Sequence, residues 1–275
     1  MNKLKRIIKT NLLLKDFYKL LSILKNKTII NFVFHLKMIL RSRGICDLKY
    51  KKLKEFKNIH SGKRCFIVAT GPSLTIEDIE KLKNEDTFSM NSIVLLFDKT
   101  EWRPTYYGIQ DPYVYDRIKT DLENVDVKYK FFGHRLYEKS KLPEDSYVFP
   151  HNILNHKINH KPYNSKFSGD IFLQVYDGYT ITYSLIQIAV YMGYKEIYLI
   201  GADTNYIKEK QHIVEHGVVD SSYAQAGTRM IEAYKVAKKY ADENGIKIYN
   251  ATRGGMLEVF PRVDIDEVVG LREKN

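Results

Sequence analysis

The spacing of apolar positions changes once along this chain, close to residue 63. Upstream, Leu13, Phe17, Leu20, Leu21 and Leu24 recur every three or four residues with lysines between them. That is the period of an amphipathic helix, so residues 1–60 are expected to form a helical arm. Downstream, short apolar runs alternate with amphipathic segments. Strands are expected at 64–70, 87–90, 105–109, 127–132, 147–149, 195–200 and 246–249, with a further extended run at 93–97. Helices are expected at 75–83, from Pro112, at 179–192 with Asp177 as cap, and at 223–244 with Gly245 as stop. Two polar stretches, 150–170 and 203–222, read as long loops, and loops of that length in a compact domain are usually functional. Strands alternating with helices predict an α/β, Rossmann-like, mostly parallel sheet covered on both faces. The organisation expected is a basic helical arm over 1–60 and one such domain over 61–275.

Charge sharpens this division. Residues 1–63 hold 17 Lys/Arg and three acids, a net +14, whereas the remainder holds 27 and 30, a net −3. The basicity belongs to the arm and not to the body, which argues against a nucleic-acid-binding domain. A basic amphipathic helix suits an anionic membrane surface; packing on the domain or on a second copy in a homo-oligomer is the alternative use of the arm. The stretch 29–40 is interrupted by His35 and Lys37 and is shorter than the roughly 20 apolar residues a span needs. Cys46 and Cys65 are the two cysteines, too few for a disulfide framework or a metal cluster, so a reducing cytoplasm is expected.

Two strands end in loops suited to a ligand. The first run, Cys65 to Ala69, stops at Thr70-Gly71-Pro72-Ser73; the second, Lys195 to Ile200, stops at Gly201-Ala202-Asp203. In open α/β sheets ligands bind where strands end and loops begin. Gly71 admits close backbone approach, and Ser73 can cap the next helix or meet a phosphate. Neither a P-loop nor a G-x-G-x-x-G is present. Asn91, Gln110 and Asp111 follow the next two extended runs; Asn91 can read a base or a ribose hydroxyl, and Asp111 before Pro112 also suits a helix start. Asp203, Thr204, Asn205 and Tyr206 form a polar run after a buried strand, which favours a ligand role. His212-Ile213-Val214-Glu215-His216 has the formal pattern of a zinc peptidase, but its loop setting and the following Gly217 favour a general base on a closing loop. Asp264-Ile265-Asp266 is a formal D-x-D, better explained as a helix cap than as a metal pair.

Taken in order, Gly71-Pro72-Ser73, Asn91, and Gly193-Tyr194-Lys195-Glu196-Ile197-Tyr198-Leu199 followed by Gly201 and Asp203 resemble the bacterial lipooligosaccharide sialyltransferases of glycosyltransferase family 42. They are also similar to the motility-associated-factor group, domain of unknown function 115, related to archaeal pterin pyrophosphokinases. The resemblance covers about residues 63–250 and not the arm. It implies a Rossmann-like transferase whose co-substrate is a CMP-activated sugar, with no metal and no separate cofactor. On this resemblance Thr70, Gly71, Pro72, Ser73 and Asn91 hold the cytidine and phosphate, and Asp111 is a polar nucleotide contact. Thr180 and Thr182 stand where the family has a Ser-Gly pair, and Tyr206 supplies a hydroxyl to the phosphate. The catalytic histidine falls to His216 first and His212 second. Thr70 stands where the family has asparagine, and the Ser-Gly pair is not kept.

The expected protein is an inverting, metal-independent glycosyltransferase. It would move sialic acid or a similar acidic sugar to a surface glycan or lipooligosaccharide acceptor, from the cytoplasmic side of the inner membrane. Two alternatives stay open. One is a pterin pyrophosphokinase-like or other nucleotide-donor transferase; the other is a non-catalytic nucleotide-binding scaffold of a polysaccharide assembly complex.

Overall fold

The structure is a computed structural model that describes residues 14, 17, 20, 21, 24, 28, 29, 31–46, 48–123, 125–153, 163–205, 212–214, 217 and 223–270. Seven parallel strands form one sheet. They are β1 (Arg64–Val68), β2 (Thr87–Met90), β3 (Tyr106–Ile109), β4 (Tyr129–Gly133), β5 (Ser146–Phe149), β8 (Glu196–Ile200) and β9 (Lys247–Asn250), in the order β5-β4-β3-β2-β1-β8-β9. A small second sheet pairs β6 (His151–Asn152) with β7 (Val175–Tyr176). The expected Rossmann-like parallel sheet is observed. The chain winds outward from β1 to β5, then returns to place β8 against the other edge of β1. The order therefore reverses between β1 and β8, the topological switch point at which such sheets bind ligands.

Side-chain alternation explains why the strands lie where they do. Cys65 and Ile67 face one apolar cluster, Phe66 and Val68 the other; Ile197 and Leu199 part from Tyr198 and Ile200 in the same way. Successive side chains point to opposite faces, so a run that is apolar at every position needs cover on both. The first face is covered by a 3₁₀ segment (Leu48–Phe56), α5 (Ile181–Tyr191) and α6 (Tyr223–Glu243). The second is covered by α2 (Ile76–Glu80), a 3₁₀ turn (Asn91–Leu96), α3 (Pro112–Glu123) and α7 (Ile265–Gly270). Helix α4 (His134–Lys139) follows β4, and α1 (Asn31–Ser42) precedes the sheet.

Several local expectations change. The run at 93–97 is not extended: Ile93, Val94 and Leu96 are buried in the 3₁₀ turn. The loop expected over 150–170 begins with β6, which is held by Val175 N donating to the Pro150 carbonyl at 2.8 Å. Residues 48–60, read as the end of the arm, carry Tyr50, Leu53 and Phe56 into the core. Thr180, not Asp177, caps α5, its hydroxyl accepting from Thr182 N at 3.3 Å. Asp264 does cap its helix, accepting from Asp266 N at 2.7 Å. Gly245 has φ +62°, as a helix stop there requires.

Candidate functional site

A crevice of about 60 Å³ opens at the switch point, outside the carboxyl ends of β1, β2 and β8. Its floor is the pair of loops expected from sequence. Thr70 and Gly71 meet Gly201 through Gly71 N donating to the Gly201 carbonyl at 2.8 Å. Asp203 ties the loops together: its Oδ2 accepts from Ser73 Oγ at 2.8 Å and from Ser73 N at 3.4 Å. Ser73 thus serves the clamp, and the N-cap of α2 is Thr75, which accepts from Asp78 N. Pro72 lies in the same turn, outside the lining. Asp203 is 8% exposed, and its main chain is held by Met256 N donating to Asp203 O at 2.8 Å.

The walls come from three further elements. Asn91 stands at the end of β2 with φ +49°, and its Oδ1 is buried without a hydrogen-bond partner. Thr180 and Thr182 bring the first turn of α5 to the crevice, so the positive end of the helix dipole lies beside it. Thr204 and Asn205 complete the rim, Thr204 at φ +52°. A β-branched residue in the left-handed region is a strained conformation that tends to persist at functional sites. Tyr179, just before the α5 cap, has φ +67°. Among the described residues, two of the four non-glycine positions with positive φ, Asn91 and Thr204, thus line this crevice.

Among the described residues, His212 is the histidine in the lining; it is 9% exposed, and its Nδ1 lies 3.3 Å from Thr70 Oγ1. Its short segment is pinned at two points, by Ile213 N donating to Thr70 O at 2.8 Å and Ser92 Oγ donating to Val214 O at 2.8 Å. His216 and Tyr206, expected as base and phosphate contact, lie outside the described residues.

Two expected contacts stand elsewhere. Asp111 is exposed and accepts from Tyr113 N at 2.8 Å, fixing the start of α3. Gln110 is buried beneath α5, donating to Asp177 at 3.0 Å and accepting from Ser184 Oγ at 2.7 Å. Sequence reasoning missed the apolar wall of Met90, Ile181, Met230 and Tyr234. Met230 and Tyr234 are one turn apart on α6, a spacing that reads as ordinary core until the helix is docked. Among the described residues, no group of three His, Cys, Asp or Glu side chains stands close enough to hold a metal ion.

A parallel sheet with a polar crevice at its switch point defines an α/β protein of the Rossmann-like class. The profile of the family described as 6-hydroxymethylpterin diphosphokinase MptE-like matches residues 39–209, and the chain belongs to that family. The match falls within the broader group that the sequence resembles, on its pterin-kinase side. Among solved structures, the chain is similar to the MAf glycosyltransferase from Magnetospirillum magneticum AMB-1, at 14% identity and TM-score 0.48, covering 82% of this chain and 40% of that one. It is also similar to the sialyltransferase CstII from Campylobacter jejuni in complex with cytidine-5'-monophosphate, at 16% identity and TM-score 0.47, covering 74% and 85%. The complex of CstII with CMP-3FNeuAc gives 16% identity and TM-score 0.42, covering 73% and 85%. The chain thus spans 40% of the length of the Magnetospirillum protein. No curated protein matches it.

Proposed function

We propose that the chain is a glycosyltransferase that binds a CMP-activated acidic sugar in the switch-point crevice and passes the sugar to a surface glycan or lipooligosaccharide acceptor. The observation that carries the reading is Asn91, whose buried, unpartnered Oδ1 lines the crevice at a strained backbone position. A buried acceptor without a donor costs roughly 1–3 kcal/mol, and a base amino group or ribose hydroxyl supplies what it lacks. The first turn of α5, with Thr180 and Thr182, offers a positive end to the phosphate. The carboxylate in the lining, Asp203, is engaged by Ser73.

In the proposed step the acceptor hydroxyl oxygen attacks the anomeric carbon opposite the nucleotide. The bond from that carbon to the phosphate oxygen breaks, and CMP leaves with the bonding pair. The hydroxyl proton passes to a histidine, and inversion follows from the single in-line displacement. Of the two candidate bases His212 lines the crevice, its Nδ1 3.3 Å from Thr70 Oγ1; His216, outside the described residues, stays a candidate from the sequence. N–H groups at the α5 start stabilise charge on the departing phosphate. Residues 1–60 hold the enzyme to an anionic membrane surface beside its acceptor.

A second reading is favoured by the family match over 39–209: a diphosphate moves from ATP to a hydroxymethylpterin. A thermal-shift series with CMP, CDP, UDP, GDP and ATP, with and without Mg²⁺, separates the two. CMP at a hundred times its dissociation constant adds about 2.7 kcal/mol of stability, expected here to be indifferent to the metal. Stabilisation by ATP only with Mg²⁺ establishes the second reading. Loss of sugar transfer in His212→Ala or His216→Ala, with CMP binding kept, identifies the base; full transfer in both removes histidine from the mechanism.

A further inference from the structure

The turn that leads into α5 adjoins a second cavity, smaller than the crevice at about 10 Å³. Thr180 and Thr182 line the crevice, whereas Asp177, Gly178 and Tyr179 line this cavity. Successive residues of one turn thus serve two neighbouring spaces. Among the described residues, the other walls include Asn152 of β6, Tyr176 of β7, and Ser165 and Lys166 from the segment between those strands. Hydrogen bonds fix these walls to one another and to α5. Asp177 N donates to Asn152 O at 3.1 Å, and Tyr183 OH donates to Lys166 O at 2.9 Å. Gln187 Oε1 accepts from Ser168 N at 3.1 Å and from Tyr176 N at 3.0 Å.

Two polar atoms of the lining residues are left unsatisfied. Asn152 is 1% exposed, and its Oδ1 is buried without a hydrogen-bond partner. Ser165 Oγ is buried in the same condition. A buried polar atom that makes no bond costs the fold stability, so neither atom serves the fold as it stands. Such atoms call for an explanation, and a ligand that completes them is one.

The chemistry of the missing partner follows from the atoms that lack it. Asn152 Oδ1 accepts only, so it needs a donor, while the Ser165 hydroxyl both donates and accepts. The lining carries one acid, Asp177, which accepts from Gln110 Nε2 at 3.0 Å, and one base, the exposed Lys166. Their charges balance, so the cavity selects neither an anion nor a cation. Its volume is that of one water-sized group. A hydroxyl is neutral, fits that space, and both donates and accepts. Tyr176 and Tyr179 add aromatic surface beside the polar atoms, the mixture that the C–H faces and hydroxyls of a sugar meet.

We infer that this cavity is the acceptor subsite: it takes one hydroxyl or hydroxymethyl group of the acceptor sugar through Asn152 Oδ1 and Ser165 Oγ, and so holds that sugar next to the donor crevice. The role as acceptor rests on the glycosyltransferase reading; the binding of a sugar at this place does not.

The test titrates the methyl glycosides of galactose, glucose and N-acetylglucosamine against the full chain by saturation-transfer NMR, with CMP binding measured in parallel by calorimetry. At least one glycoside is expected to bind. Ser165→Ala and Asn152→Leu each remove one unsatisfied atom, and each is expected to weaken that glycoside about tenfold, as the loss of one hydrogen bond implies. Thermal stability should be unchanged or raised in Ser165→Ala, because the atom removed makes no bond in the fold. Ser165→Ala keeps the test decisive where Asn152→Leu fails to fold. Absence of glycoside binding, or an affinity unchanged in Ser165→Ala, overturns the subsite and leaves the cavity to a water. Affinity lost together with stability in Ser165→Ala assigns the hydroxyl to the fold and overturns it as well. Glycoside binding without CMP binding keeps the subsite and overturns the crevice reading; CMP binding without glycoside binding does the reverse.

Discussion

At position 71 a methyl group would fall inside the Asp203 carboxylate and against the Gly201 carbonyl. Both are fixed: the carboxylate by Ser73 at 2.8 Å, the carbonyl by the Gly71 N–H at 2.8 Å. Gly71→Ala must therefore push apart the two loops that floor the crevice. Overpacking of this kind costs about 1–3 kcal/mol, and the expected outcome is that much lost stability in urea together with loss of the CMP-dependent thermal shift. A variant with full stability and an undiminished shift refutes the clamp. The glycine itself was legible in the sequence, because a small residue between a strand and a helix has few other uses. The clamp was not. Ser73 and Asp203 are 130 residues apart, and each taken alone reads as a ligand contact or a cap. Gln110 and Asp111 show the same blindness, since position after a strand says nothing about which face of the next turn a side chain takes.

Strands were more legible than their connections. A run that is apolar at every position, such as Cys65 to Val68, suits a strand between two covered faces, and each such run in the sheet stands close to where it was expected. Residues 93–97 are equally apolar and fold as a 3₁₀ turn, because buried helix and buried strand share that composition. Residues 57–60 close the expected arm, yet together with Gly62 of the domain they are sewn along the amino end of the sheet. Asn58 N donates to Tyr191 O at 3.0 Å, His60 N to Met192 O at 2.8 Å, and Gly62 N to Gly193 O at 3.1 Å. His60 pins this element: its Nε2 lies 2.6 Å from the Tyr106 hydroxyl, its Nδ1 3.5 Å from Asp86, and its ring stacks on Tyr194 at 4.6 Å. Burial holds the imidazole below its ordinary value, with Asp86 opposing and Lys63 and Lys128 assisting. The neutral form is thus favoured in the fold, while the unfolded chain takes up a proton near pH 6.5. This contribution is complete above about pH 6.5 and is lost as pH falls toward the depressed folded value. Urea unfolding between about pH 5 and pH 8 should show stability falling on the acid side, and a shallower fall in His60→Gln. An unchanged slope in that variant places the titration elsewhere.

The whole molecule is divided electrically more sharply than it is divided in space. The first 63 residues carry +14 and the remainder −3, although residues 50–56 are part of the core. Among the described positions upstream, Leu14, Phe17, Leu20, Leu21, Leu24, Ile29, Phe32 and Leu36 are 41–68% exposed. Large apolar side chains left in water at helical spacing call for a partner, and the lysines between them select an anionic one. No helix of the described residues is long and apolar enough to cross a membrane; on the proposed reading the arm lies along a surface. Each basic residue near an anionic leaflet contributes on the order of 1 kcal/mol, screened over about 8 Å at physiological salt. The full chain should therefore sediment with anionic vesicles and not with zwitterionic ones, and be released as salt rises from about 0.1 M to about 0.5 M. Phe32→Glu and Leu36→Glu remove apolar contact and add repulsion while leaving the sheet untouched, and each should weaken vesicle binding about tenfold. Binding that ignores lipid charge and salt would assign the stripe to a second copy of the chain. Sedimentation equilibrium of the two variants decides that case: a copy held by this stripe dissociates when Phe32 or Leu36 is charged, whereas a membrane-facing stripe leaves the mass unchanged.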